Sequence, residues 1–252
     1  MADKKALAQL FEDGAVQTII TNMNDDAASA AVGPDLDDMD DAEEANLVVL
    51  VLDNSVSMSG HRDAVIDGAN NLIDSLQNSK ESDTMLMTLW KFDTRNHIDI
   101  IFANQKMADV KPITTADYDA DGDATAEYTA AERSLAGALA YAQDLLKNAR
   151  YRVRVMWVLI TDGQDNSSLR DSAKNTKVLI ENGIHDEILI PGLVAFGYDP
   201  KKVASDIGIP EKNILTSDPS EIRAAMGVVS SSVIRASKAA TGTVSSHGFF
   251  TQ

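Results

Sequence analysis

The stretch Leu47-Val-Val-Leu-Val-Leu-Asp53-Asn-Ser55-Val-Ser57 carries two signals in succession. Leu47 to Leu52 is a continuous apolar run of strand length, of the kind buried on both faces in the middle of a parallel sheet. The run breaks into an Asp and two Ser at alternate positions, then Met58-Ser-Gly60, before a helical pattern begins. On a loop between strand and helix these three oxygens can converge on one small ion, or they can cap the helix that follows. Oxygen donors of low total charge suit Mg2+ or Mn2+, which keep several of their waters.

Outward from that stretch the chain alternates strand and helix. Val65, Ile66, Ala69, Leu72, Ile73 and Leu76 recur at helical spacing within residues 61–79. Residues 85–92 and 98–102 read as a hairpin at a sheet edge, and 128–147 as a long helix with one apolar stripe. Strands are expected at 153–160, 188–196 and 213–216. Helices are expected over 175–182 and 220–238, the latter opened by Pro219 and Ser220. This order predicts an α/β fold: a doubly wound, mostly parallel central sheet with one antiparallel edge strand and helices on both faces. Trp90 and Trp157 fall within strands and are expected in its core. In such sheets ligands sit at the carboxyl ends of the strands. The fourth strand ends there in Thr161-Asp162-Gly163, which places Asp162 at the same edge as Asp53.

The composition narrows the function classes. The 252 residues carry a formal net charge of −17 at pH 7, which argues against nucleic acid and anionic membranes, since both need clustered Lys and Arg. No cysteine is present, which excludes disulfides, thiolate zinc sites and Cys nucleophiles. The opening residues lack a signal-peptide apolar core and no run approaches membrane-span length, so a cytoplasmic location is expected. His61, His97, His185 and His247 show no paired metal spacing. Residues 24–44 hold nine acids and no Lys or Arg, a composition expected to repel itself. The organisation expected is a short amphipathic helix in 1–23, an acidic flexible linker over 24–45, one domain over 46–238 and a loose tail over 239–252.

Asp53-x-Ser55-x-Ser57 after VVLVL, with VLITDG ending at Gly163, resembles the von Willebrand factor A family, and WKFDT and IPGLVAFG fit its order. The likeness covers roughly residues 46–238 and is to stand-alone, bacterial-type cytoplasmic members. It implies a Rossmann-like fold with a metal-ion-dependent adhesion site: Asp53, Ser55, Ser57 and Asp162 as ligands, a Thr from a middle loop, and an open position for a partner's carboxylate. Thr125, in Thr-Ala-Glu-Tyr-Thr-Ala130, fits that Thr, with Gly122 three residues before it where the family has two. Thr129 competes one turn later. An alignment on Arg133-Ser-Leu-Ala-Gly-Ala-Leu139 would put Arg133 at the position and remove the ligand.

Just before Thr125, Asp117-Tyr-Asp119-Ala-Asp121-Gly122 matches the first half of an EF-hand loop. Position 12 is Tyr128 where a bidentate Glu is needed, so Asp117, Asp119 and Asp121 read either as a second, Ca2+ site completed by Glu127 or another acid, or as a solvated loop bordering the first site. Asp165 and Asn166 read as turn residues, and Met58 as either rim or core.

Two function classes remain. The first is a metal-dependent protein-recognition module whose partner presents Asp or Glu; the resemblance implies an adaptor working with a MoxR-type AAA+ ATPase or a kinase or phosphatase. The second is a Mg2+-dependent phosphatase-like hydrolase with Asp53 as nucleophile, which needs an acid two residues on, where Ser55 stands. Asp37, Asp38, Asp40 and Asp41 lie close before the first strand and could carry a carboxylate to the open position in cis.

Overall fold

The apolar run forms most of β1 (Glu44–Asp53), and its residues divide between two cores. Leu47, Val49 and Val51 face one; Val48, Leu50 and Leu52 face the other. The run is continuous because each face lies under helices and neither meets water. A computed structural model describes residues 14–34, 44–148, 151–239 and 248–250. In chain order its elements are α1 (Gly14–Thr21), α2 (Asp25–Ala30), β1, α3 (Arg62–Gln77), β2 (Met85–Phe92), β3 (Ile98–Lys106), α4 (Glu127–Asn148), β4 (Arg152–Thr161), α5 (Ser172–His185), β5 (Leu189–Phe196), α6 (Lys201–Ile207), β6 (Ile214–Ser217) and α7 (Ile222–Lys238).

The sheet order is β3-β2-β1-β4-β5-β6. All neighbours are parallel except β2 and β3, which pair antiparallel at the edge, so the expected doubly wound architecture is present. Helices α4, α5 and α6 contribute Leu135, Leu139, Leu179, Ile180 and Ile207 to the first core. Helices α3 and α7 contribute Val65, Leu72, Met226 and Val229 to the second. Trp90 and Trp157 are fully buried, as expected, and Met58 is core rather than rim. Helix α6 was not anticipated; its apolar positions Val203, Ala204 and Ile207 span only two turns.

Two expectations need correction. Residues 25–30, expected as flexible acidic linker, are the helix α2. Asn24 caps it, accepting from Ala27 N at 3.1 Å, and Asp25 and Asp26 sit in its first turn, where the helix dipole favours negative charge. Ala27 and Ala30 are buried where α2 packs on α4 and β3. Glu44 and Ala45, expected at the end of that linker, belong to β1; residues 35–43, with the four candidate masking aspartates, lie outside the described residues, as does the part of the expected first helix before Gly14. The second correction is at Phe249: expected in a loose tail, it is only 2% exposed and joins the second core.

Asn104 fastens α2 to the sheet edge. On β3, at a left-handed φ of 47°, it donates from Nδ2 to Ala30 O at 2.7 Å and Val32 O at 2.9 Å. Thr88 Oγ1 accepts from its backbone N at 2.9 Å and donates to its Oδ1 at 3.0 Å. Asn104→Ala therefore leaves the buried Ala30 carbonyl unpaired and is expected to cost about 2 kcal/mol. Urea denaturation gives the magnitude, and faster hydrogen exchange confined to α2 and β3 locates it.

Candidate metal centre

β1 and β4 run parallel side by side, so Asp53 and Asp162 emerge at the same edge, and the site builds from them. Asp53 is fully buried. Its Oδ1 accepts from Ser55 N at 2.9 Å and its Oδ2 from Thr161 Oγ1 at 2.6 Å, while Tyr118 OH donates to its backbone O at 2.6 Å. Burial pushes the Asp53 carboxyl up, with Asp162 adding repulsion, against opposing hydrogen bonds from Thr161 and Ser55. Ser55 Oγ lies 2.9 Å from Ser57 Oγ, and Ser57 Oγ donates to Asp162 Oδ1 at 2.7 Å. The hydroxyls and carboxylates of positions 55, 57 and 162 thus form one connected chain of oxygens beside Asp53. Ser57 is exposed, so the chain opens to solvent.

The loop before α4 supplies the next oxygen. A point just off Gly163 Cα, where a β-carbon would sit, is 3.4 Å from Thr125 Oγ1 and 4.0 Å from Asp53 Oδ2, so the Thr125 hydroxyl faces the same space. Thr125 is held from behind: its N donates to Asn166 Oδ1 at 2.9 Å, and its O accepts from Asn166 N at 3.0 Å. Thr129 points elsewhere. It is buried, with its Oγ1 3.1 Å from Ser172 Oγ and accepting from Leu169 N at 2.8 Å. Arg133 is farther along α4, 3.9 Å from Asp26 of α2.

The acidic stretch is a brace for this loop. Asn54, between the two halves of the motif, donates to Asp119 Oδ1 at 2.8 Å and accepts from Ala120 N at 2.8 Å. Gly122 N donates to Asn54 O at 3.0 Å and Val56 N to Gly122 O at 2.8 Å, a one-residue parallel bridge to Ser55. Asp117 Oδ2 accepts from Thr114 N at 2.7 Å and Thr114 Oγ1 at 2.8 Å. Lys91 Nζ lies 3.4 Å from Asp119, whose carboxyl is held below its usual range chiefly by the Asn54 hydrogen bond. Asp117 and Asp119 are thus turned to different partners. Among the described residues no three acidic or histidine side chains gather closely enough to hold an ion by themselves; the Asp53 site differs in drawing most of its donors from hydroxyls.

Several residues here escaped the sequence reading. Asn54, Tyr118, Thr161 and Asn166 position the candidate ligands; Asn166, expected as a turn residue, does lie in a bend and from there holds Thr125. Glu127 is fully buried behind the site. Burial, then the charges of Asp53 and Asp165, drive its carboxyl well above the usual range, and Tyr198 OH donates to its Oε1 at 3.4 Å. The sequence offers Glu127 as an acid that could complete a Ca2+ site, but nothing local distinguishes a buried acid from an exposed one.

A profile of the von Willebrand factor type A domain matches residues 48–186. Comparison with curated proteins finds no match. Among solved structures, proximal thread matrix protein 1 from the mussel byssus aligns with TM-score 0.51 and 16% identity, over 75% of this chain and 48% of that one. A second structure of that protein, described with a zinc occupied MIDAS motif, gives 0.50 and 16% over the same shares, 75% and 48%. The pilus adhesin SpaC from Lactobacillus rhamnosus GG, in its open conformation, gives 0.57 and 14% over 78% of this chain and 30% of that one. The chain therefore spans about half of the first protein's length and under a third of the adhesin's; identities this low speak for the shared fold.

Proposed function

The chain belongs to the von Willebrand factor type A domain family, and from that premise we propose that it is a metal-dependent protein-recognition module whose site is Asp53, Ser55, Ser57, Thr125 and Asp162. The observation that supports this is the linked set of oxygens: Ser55 to Ser57 at 2.9 Å and Ser57 to Asp162 at 2.7 Å, with Asp53 buried beside them. Two carboxylates and three hydroxyls, without His or Cys, fit a hard divalent cation such as Mg2+ or Mn2+ better than one that prefers nitrogen or sulfur. The zinc described in the motif of one structural neighbour supports a divalent cation in this fold.

When bound, such an ion supplies a Lewis-acidic position for a carboxylate. The chain's own residues do the rest. Thr161 and the Ser55 amide fix the Asp53 carboxylate, Asn166 fixes Thr125, and Val56, 60% exposed between the serines, offers apolar surface that a docked partner would cover. The partner is a protein presenting Asp or Glu, and the module serves as an adaptor in an ATPase- or kinase-linked system. The engaged carboxylates of Asp117 and Asp119 favour one ion over two.

Recognition is favoured over phosphoryl hydrolysis because the side chain two residues after Asp53 is Ser55, hydrogen-bonded to Ser57, and a hydroxyl there cannot perform the proton transfer that a carboxyl would. Affinity capture with wild type and Asp53→Ala, each with and without EDTA, tests the proposal. Partners should be retained by wild type in Mg2+ and lost in EDTA or on substitution; identical partner sets in all four conditions would exclude a metal-bridged contact.

A further inference from the structure

β6 begins only at Ile214, opposite Leu193, so the first half of β5 has no strand beyond it among the described residues. Asn213, fully buried, takes that place. Its Nδ2 donates to Pro191 O at 2.8 Å, and its Oδ1 accepts from Gly248 N at 2.6 Å and Phe249 N at 2.9 Å. From α7, Arg235 donates to Phe249 O. The main chain of residues 248 and 249 is therefore gripped on both sides by polar side chains, Asn213 at the two amides and Arg235 at the Phe249 carbonyl.

The side chains are matched as well. A β-carbon on Gly192 of β5 would lie 2.9 Å from Phe250 Cζ and 3.1 Å from Phe249 Cδ1, so two rings occupy room that any other residue would fill. The rings contact each other, with centroids 4.9 Å apart. Gly248 has φ 101°, a value strained for any residue with a side chain, which sets the readable motif as Gly-Phe-Phe. Neither the sheet nor the metal centre requires this arrangement. Gly192 lies four residues before Phe196, about 13 Å from the carboxyl end of β5 at roughly 3.3 Å per residue.

We propose that this groove is a seat for a turned Gly-Phe-Phe segment, filled in cis by residues 248–250 and able to accept the same segment of a second copy of this chain in trans. The seat is separate from the metal centre. The cis segment is joined to α7 through residues 240–247, and so short a connection gives it an effective concentration on the order of millimolar. A free peptide then competes poorly with it but binds an emptied seat.

The test uses the full chain and a fluorescein-labelled peptide of residues 246–252. By anisotropy, the Phe249→Ala/Phe250→Ala chain should bind this peptide at least about tenfold more tightly than wild type does, and adding Gly192→Val should abolish binding. Equal affinity for both chains, or binding that survives Gly192→Val, would overturn the proposal. Should those variants not fold, hydrogen exchange on wild type decides. Gly248 and Phe249 amides should be protected alone and lose protection in several millimolar unlabelled peptide while α7 does not; unchanged exchange would overturn it equally.

Discussion

Asp53→Asn is expected to weaken Mg2+ or Mn2+ binding by on the order of 100-fold while leaving the metal-free protein at least as stable as wild type. The two outcomes share a cause. The Asp53 carboxyl is fully buried, and that burial, with Asp162 adding repulsion, already disfavours its ionisation. Asn keeps the shape: its oxygen can still accept from Ser55 N, and its amide can donate to Thr161 Oγ1, which also accepts from Gly163 N at 3.2 Å. What disappears is the anionic oxygen that offsets the charge of a cation. At a metal concentration 100 times its Kd, a bound ion stabilises the wild-type fold by about 2.7 kcal/mol, so thermal unfolding with and without EDTA reads the difference directly. Wild type should show a metal-dependent rise in Tm and Asp53→Asn almost none, with the two coinciding or the variant higher in EDTA. A variant that kept the full rise would place the ion elsewhere.

The fold was legible because its signals are local and periodic. A run buried on both faces, helical stripes and a short hairpin each declare themselves within one window. The gathering of Asp53, Ser55, Ser57 and Asp162 at one edge was legible too, since they end β1 or follow β1 and β4 within four residues and parallel strands bring their ends together. Thr125 and Thr129 could not be separated that way. They are one residue type, one helical turn apart, and only the long-range partners distinguish them: Asn166 for the first, Ser168, Leu169 and Ser172 for the second. α2 was missed because its acids were weighed as mutual repulsion, while Asp25 and Asp26 complement a helix start. Phe249 was missed because its anchors, Asn213 and Arg235, are 36 and 14 residues away in the chain, and no composition of the surrounding residues announces them.

Gly122 is where the acidic stretch and the metal centre depend on the same atoms, and Gly122→Ala is expected to cost about 3 kcal/mol of stability. A β-carbon there would stand 2.1 Å from Asp93 Cβ and 2.7 Å from its Cγ, closer than any rotamer change relieves, because the first clash is with an atom fixed to the backbone. Neither side can yield freely. Gly122 is bonded through both N and O to the β1 loop, at 3.0 and 2.8 Å, and Asp93 O accepts from Ala126 N at 2.6 Å, the residue after Thr125. If Asp93 shifts, Thr125 shifts with it; if Gly122 shifts, the bridge to Ser55 opens and each lost hydrogen bond adds about 1 kcal/mol. Either route disturbs a candidate ligand, so metal affinity should fall together with stability. Gly60→Ala is the control: it lies in the β1 loop to which Gly122 is bonded, with nothing within 4 Å of an added β-carbon, and should be nearly neutral in both measurements. Urea denaturation and calorimetric titration with Mg2+ would compare the three chains. Gly122→Ala behaving like Gly60→Ala would mean that the acidic stretch does not set the position of Thr125.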